Sequence, residues 1–335
     1  MKTTRKIGIT IGDPNGIGPE IILKSFKDER LFEEVIPIVF STKSILDQYI
    51  ELLDYPISVH EINRLTQCKE GHVNVFTLSK EYQIQPGKFC EDAGEISYIS
   101  LKTATNEMMK GQIDALVTAP INKSNIQNDE FQFKGHTEYF TSLSNTDISL
   151  MLLVYQNLRI ALVTNHLPLE AVSASITKEL ICKKAELLNQ TLRNDFGIIK
   201  PKIALLSLNP HSGDNGLIGN EEVKIINPVI KELNKQGMLV FGPFPADGFF
   251  ANKGYIKFDG VLAMYHDQGL APFKILSQNQ GVNFTAGLPI VRTSPDHGTA
   301  YDIAGKGIAD ETSFRNAIYS AIDICLLYTS DAADE

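Results

Sequence analysis

Tryptophan is absent from this 335-residue chain, and cysteine occurs only four times. The missing tryptophan excludes nothing. The cysteines, Cys68, Cys90, Cys182 and Cys325, have no C-x-x-C spacing. That sets aside a zinc ribbon and a disulfide framework, and fits free thiols in a reducing cytoplasm. No apolar run reaches the ~18 residues of a membrane-spanning helix, so no membrane partner is expected. Excess positive charge is missing as well: the formal net charge is −9, which argues against a general nucleic-acid binder. The opening MKTTRKIGITIG has neither the apolar stretch nor the small-residue cleavage site of a secretory leader, which again points to the cytoplasm. Low-complexity segments and short repeats are lacking.

What is present is an ordinary globular composition, 43% hydrophobic and 21% charged, long enough for one large or two ordinary domains. Short apolar runs alternate with helical patterns. Strands are expected at 35–41, 113–120, 150–156, 159–165, 202–209 and 259–265. Helices are expected near 42–53, 95–110, 168–175, 178–194, 221–236 and 312–327. Such alternation predicts an α/β fold with a largely parallel sheet. Gln156 and Asn157, between two apolar runs, predict a hairpin within it. The most polar stretch, 120–137, suits a crossover, and the small, acidic end LLYTSDAADE is expected to fray.

The segment ITIGDPNGIGPEIILKSF (9–26) reads as strand, glycine turn and helix, with Pro19 at the helix start and Glu20 in its first turn. Gly12, Gly16 and Gly18 are not spaced as a dinucleotide fingerprint, and no Gly-Lys-Ser/Thr follows to make a P-loop. A tight βα turn and an anion site at a helix N-terminus both stay open.

The strongest constellation is a repeated one. RIALVTN leads to His166, KIALLSLNP to His211 and DGVLAMY to His266. Each strand candidate delivers a histidine just past its carboxyl end, where open α/β sheets bind ligands. Three converging imidazoles would hold a divalent ion with open positions for substrate. A single histidine is more often a surface or core residue; the threefold repetition favours the metal. His60 and His72, in ordinary polar surroundings, read as surface residues. Asp267 and Gln268 follow His266, and Lys274 comes shortly after. Asp247 lies in the Pro/Gly-rich run GPFPADGFF. A carboxylate there could act as general base, although turn or cap chemistry is the plainer reading for Asp247 alone. FKGHTEYF sets His136 and Thr137 at a helix start, suited to a phosphate or carboxylate or to simple capping. Arg292 ends a short apolar run before a glycine-rich loop, and with Lys274 and Asn283 could clamp an anion.

GDPNGIGPE and HGTAYDIAGKG resemble motifs of the metal-dependent β-decarboxylating dehydrogenases. TAPINK, FKGHTEYF, VTNH, LNPHSGDNG, FPADGFF, YHDQGLAPFK and VRTSPDHGTA make the likeness closer. From about residue 5 to about residue 325 the chain is similar to the family of 4-hydroxythreonine-4-phosphate dehydrogenases, enzymes of pyridoxal phosphate biosynthesis. The resemblance implies two α/β/α domains flanking a cleft, with an isocitrate/isopropylmalate dehydrogenase-like fold. The outer, discontinuous domain would comprise 1–130 and 285–328, and the central one 131–284 with the metal and dimer-interface elements. It further implies that His166, His211 and His266 bind a divalent metal, and that His136, Thr137, Lys274, Asn283 and Arg292 bind substrate. His297, Gly298 and Asp302 would contact NAD. A homodimer is implied, with the active site at its interface and one imidazole, that of His266, lent by the partner. From about Leu326 the chain departs from the family pattern.

The chemistry so implied is oxidation of a phosphorylated hydroxy amino acid by NAD, then loss of CO₂. The ion would polarise the hydroxyl and stabilise the resulting enolate, and Asp247 or Asp267 would take the proton. Three nitrogen ligands favour zinc, cobalt or manganese over magnesium. The nearest alternative oxidises phosphorylated threonate or erythronate. A tri-histidine zinc hydrolase, a structural metal staple between subunits and an acyltransferase acting on phosphate esters are the readings from other classes.

Overall fold

Alternating β-branched runs and amphipathic segments give an α/β fold, seen here in a computed structural model that describes residues 4–144, 146 and 148–331. The strands are β1 (Arg5–Thr10), β2 (Val35–Ser41), β3 (Val59–Ile62), β4 (Val73–Thr77), β5 (Ala115–Thr118), β6 (Leu150–Tyr155), β7 (Leu158–Leu162), β8 (Lys202–Leu206), β9 (Leu239–Phe244), β10 (Gly260–Ala263), β11 (Val282–Ala286) and β12 (Arg292–Pro295). The helices are α1 (Gly18–Ser25), α2 (Lys43–Leu53), α3 (Glu91–Met109), α4 (His136–Leu143), α5 (Leu169–Ser175), α6 (Lys178–Asn194), α7 (Asn227–Lys235), α8 (Ala246–Ala251), α9 (His266–Ser277) and α10 (Thr312–Asp331). Contacts divide the chain into two units, Met1–Asn145 with Leu288–Leu326, and Thr146–Gly287 with Leu327–Glu335.

In the first unit the strands lie in the order β3-β4-β2-β1-β5-β12, and each neighbouring pair is parallel. β2, VIPIVFS, is buried at all seven positions, the signature of a parallel strand covered on both faces. Its Ile36, Ile38 and Phe40 pack with Leu101 and Ala104 of α3 and with Tyr139 and Phe140 of α4. Each such fully buried side chain stabilises by about 1.5–3 kcal/mol. Phe131 joins the same core. Residues 131–144 therefore group with the first unit, whereas the resemblance implied a boundary at 130.

In the second unit the order is β11-β6-β7-β10-β8-β9. β6 and β7 form the expected antiparallel hairpin, turning at Gln156 with φ 52°. β7, β10, β8 and β9 are parallel throughout. One face carries α8 and α9, through Phe249, Leu270 and Phe273 packed on Leu162, Val261 and Leu206. α10 runs on to Asp331 at an end expected to fray, and Tyr328 donates to Asp195; 332–335 lie outside the described residues.

α6 buries Lys184, which is 7% exposed and donates to the Ser149 carbonyl at 2.5 Å. Burial pushes its ammonium down to about 8. Between that value and the ordinary ~10.4 the unfolded chain binds the extra proton, so folding gains stability as pH rises through this window. Below pH 8 both states are charged and the gain is absent. The stability of wild type relative to Lys184→Met is expected to rise by roughly 2–3 kcal/mol from pH 7 to pH 10.5, as read from denaturant midpoints. A pH-independent difference would place the amine in contact with water.

Candidate active site

Four parallel strands deliver polar groups to one edge of the second unit. His166 follows β7, His266 follows β10, His211 follows β8 and Asp247 follows β9, each within a few residues of the strand end. Backbone ties fix that edge. Thr164 donates through N and Oγ1 to the Met264 carbonyl, at 3.2 and 2.8 Å. Gln268 accepts from Met264 N at 2.7 Å and donates to the Ser207 carbonyl at 2.6 Å, so one side chain links the ends of β10 and β8. The His166 and His266 rings consequently stand 5.6 Å apart, centre to centre. His266 opens α9, and its Nδ1 lies 2.7 Å from Asp267 Oδ1. That contact leaves Nε2 directed elsewhere, as in a histidine oriented for ligation.

His211 sits in a turn where His211, Ser212, Gly213, Asp214 and Asn215 all have φ between 42° and 74°. Consecutive non-glycine residues in this region are costly and persist only when neighbours enforce them. Glu222 anchors the chain entering this turn: it is 1% exposed, and Oε1 accepts from Leu208 N and Asn209 N, both at 2.8 Å. Sequence reasoning missed both Glu222 and the tying role of Gln268.

Two imidazoles sharing one ion at ~2.0–2.1 Å place their ring centres about 5 Å apart, so the His166–His266 pair fits a divalent cation. Among the described residues, no three His, Cys, Asp or Glu side chains of one chain form a metal-holding group. The pair thus needs a further donor. Beside it, Asn165 Oδ1 is buried without a hydrogen-bond partner. Asn283, in β11 opposite Leu153, has its Oδ1 in the same condition, and Lys274 is exposed on α9.

The first unit gathers a second group. Arg292 opens β12 instead of ending a strand, because pairing with β5 rather than local apolarity makes that strand. The side chain is 1% exposed. Its Nη2 and Nε donate to Thr118 Oγ1 at 2.5 and 3.2 Å, and its guanidinium lies 5.7 Å from the Phe140 ring centre. Burial pushes the guanidinium down to about 9, with the Glu138 carboxylate opposing, so it stays charged at neutral pH. His136 begins α4, whose N-cap, Gly135, offers no side chain. Its ring lies 6.4 Å from that of Phe140, which is thus a shared platform for His136 and Arg292. His136 Nε2 is buried without a hydrogen-bond partner. Burial, aided by the Arg292 and Lys123 cations, holds the imidazole well below its usual pKa and therefore neutral. Thr137 follows in the first turn of α4. An uncapped helix N-terminus with a buried guanidinium beside it suits an oxyanion.

His297, Gly298 and Asp302 lie together in the segment after β12; His297 Nδ1 is 3.2 Å from the Gly298 carbonyl, and Asp302 is exposed. The opening turn clamps this segment. Asp13 is buried and accepts from Asn15 N, Asn125 Nδ2 and Tyr301 Oη at 2.8, 2.7 and 2.6 Å. Ile17 N donates to Thr299 O at 2.9 Å, and Glu20 Oε1 accepts from Ala309 N at 2.8 Å. A Cβ on Gly16 or Gly18 would stand 2.9 Å from Thr299 O or 2.5 Å from Ile11 O, so the glycines permit close backbone packing. The amides of Asn15, Gly16 and Ile17 all have protein acceptors. The turn is a structural clamp.

The family described as Pyridoxal phosphate biosynthetic protein PdxA matches residues 33–321. A 4-hydroxythreonine-4-phosphate dehydrogenase of Bacteroides thetaiotaomicron is 48% identical over 95% of this chain and 88% of its own. A relative from Oceanobacillus iheyensis, provisionally named D-threonate 4-phosphate dehydrogenase, is 41% identical over 95% of this chain and 97% of its own. The crystal structure of 4-hydroxythreonine-4-phosphate dehydrogenase from Klebsiella pneumoniae superposes with TM-score 0.85 at 34% identity, covering 96% of this chain and 98% of that one. These likenesses define an α/β dehydrogenase, a class that implies a nicotinamide cofactor. The chain belongs to the PdxA family of pyridoxal phosphate biosynthetic proteins. Among the described residues, no helix is long and apolar enough to cross a membrane.

Proposed function

We propose that this chain oxidises 4-phosphooxy-L-threonine with NAD and decarboxylates the product to 3-amino-2-oxopropyl phosphate, in the cytoplasm and as a homodimer. One observation carries the substrate: the 48% identity, across 95% of the chain, to a relative named for that dehydrogenase activity. The geometry agrees with it. His136, Thr137 and Arg292 form an oxyanion-binding group, and Lys274 and Asn283 are further polar contacts for substrate. His166 and His266 would hold the divalent cation, whether zinc, cobalt, manganese or magnesium. When bound, that ion supplies Lewis-acid polarisation of the substrate oxygen. Asp267 is committed to His266 Nδ1 and orients that ring. Asp247, exposed at the same strand edge, is then the carboxylate available to take the hydroxyl proton. His297, Gly298 and Asp302 would border the nicotinamide cofactor, held in place by the Asp13 and Glu20 clamp.

A second copy of the chain would complete the metal site. Exposed apolar residues flank two of the metal loops: Leu167 and Leu169 beside His166, and Leu217 and Ile218 beyond His211, at 42%, 75%, 81% and 41% exposure. Such patches support an interface. With His166 and His266 already paired in one chain, the lent ring is that of His211, in place of the expected His266. All four cysteines are free thiols, which supports a reducing compartment.

The 41% identical relative favours one second reading, a sugar-acid phosphate lacking the amine. Purified protein given NAD and a divalent cation is expected to form NADH with 4-phosphooxy-L-threonine at a kcat/KM at least about tenfold above that for D-threonate 4-phosphate. The reverse ratio selects the second reading. No NADH with either, but hydrolysis of a phosphate ester, would instead indicate a zinc hydrolase.

A further inference from the structure

We propose that Lys123 is a further substrate-binding residue, completing with His136, Thr137 and Arg292 the site for the substrate's phosphate; this rests on the reading of those three residues as the oxyanion group.

The turn after β5 presents the lysine. Asn122 Oδ1 accepts from Ser124 N and Asn125 N at 2.9 and 3.3 Å, an Asx turn that leaves Lys123 at its tip. Gln127 Nε2 donates to the Lys123 and Phe133 carbonyls, both at 3.0 Å, so the lysine's backbone is tied to the strand of chain leading into α4. The side chain then runs over Gly135: a Cβ there would lie 3.7 Å from Lys123 Cε and 3.5 Å from Glu138 Oε2. The lysine stem therefore passes within van der Waals reach of the start of α4. Lys123 is exposed, and among the described residues it makes no ion pair. The Arg292 and Lys123 cations both act on His136, and the Glu138 carboxylate on α4 acts on Arg292. The buried His136 Nε2, lacking a hydrogen-bond partner, points to a group still to be bound there. A phosphate dianion answers both conditions, since it offers acceptors and neutralises the cations. One motif, TAPINK, thus serves the site twice: Thr118 holds Arg292 from below, and Lys123 adds an adjustable cation at the rim.

Lys123→Gln is expected to raise KM for the phosphorylated substrate about tenfold or more, with kcat and the KM for NAD little changed, and Lys123→Arg to recover much of the loss. An unmoved substrate KM overturns the proposal, and so does a raised KM for NAD alone. A second measurement stands apart from turnover. Inorganic phosphate should raise the melting temperature of the wild-type protein, and that shift should shrink in Lys123→Gln. If the phosphate effect is lost while neither phosphorylated acid is oxidised, the lysine's role holds and the proposed reaction fails. If wild type and variant respond to phosphate alike, the lysine is no part of the site.

Discussion

His166→Ala is expected to lower kcat by at least about a hundredfold while the protein stays folded and dimeric. Loss of a group that merely orients a metal ligand costs 10–100-fold in affinity or activity, so loss of the ligand proposed here should exceed that. Folding has little reason to suffer. His166 is exposed on a loop past β7, and substitutions at such sites usually change stability by less than about 0.5 kcal/mol. Size-exclusion chromatography and a melting curve alongside the assay separate this outcome from a structural staple, which would dissociate or unfold. Mixing inactive variants then locates the rings. If His166 and His266 belong to one chain and His211 comes from the other, dimers re-formed from His166→Ala and His211→Ala contain one intact site and regain activity. Dimers re-formed from His166→Ala and His266→Ala contain none. The opposite pattern would mean that His266 is the lent ring, despite its 5.6 Å approach to His166 within the chain.

The arrangement of those loops could be read from the sequence because each strand announces itself locally. KIALL and GVLA are apolar and bounded by turn residues, and the histidine comes a fixed few residues later. What decides how close the rings come is not local. Gln268 bridges the ends of β10 and β8 across 61 residues of sequence, and Thr164 reaches Met264 across 100. The left-handed turn at His211 carries no glycine signal at four of its five positions, and the chain entering it is anchored by Glu222, eleven residues on. Strands such as RTSP (β12) and VNVFT (β4) were illegible for the converse reason. Their pattern is polar or mixed, and they are strands only because parallel neighbours complete their hydrogen bonds. Arg292 illustrates the consequence. Its place at the end of an apolar run suggested an anion clamp but gave no sign of its burial: it is among the most deeply buried side chains, resting on Thr118 from a distant strand and on Phe140 from α4.

That burial sets the size of the second effect. Arg292→Ala is expected to raise the substrate KM roughly a hundredfold, since charge-assisted hydrogen bonds to a buried anion are worth about 1.5–3 kcal/mol and each 1.4 kcal/mol is a factor of ten. The alanine also leaves a cavity under Phe140, and packing loss could by itself disturb α4. Arg292→Met separates the two causes. It fills most of the volume and removes only the charge, so a stable protein with a raised KM assigns the effect to the anion. Arg292→Lys should recover little, because a lysine ammonium has no planar fork to span Thr118 and the ligand together. The imidazole of His136 gives an independent readout. With the Arg292 cation removed, its pKa should move up toward the ordinary histidine value, although burial, the largest cause of its depression, remains. An NMR titration showing no upward movement in Arg292→Met, with the substrate KM unchanged, would take Arg292 out of the binding group and leave its burial a matter of packing between β5, β12 and α4.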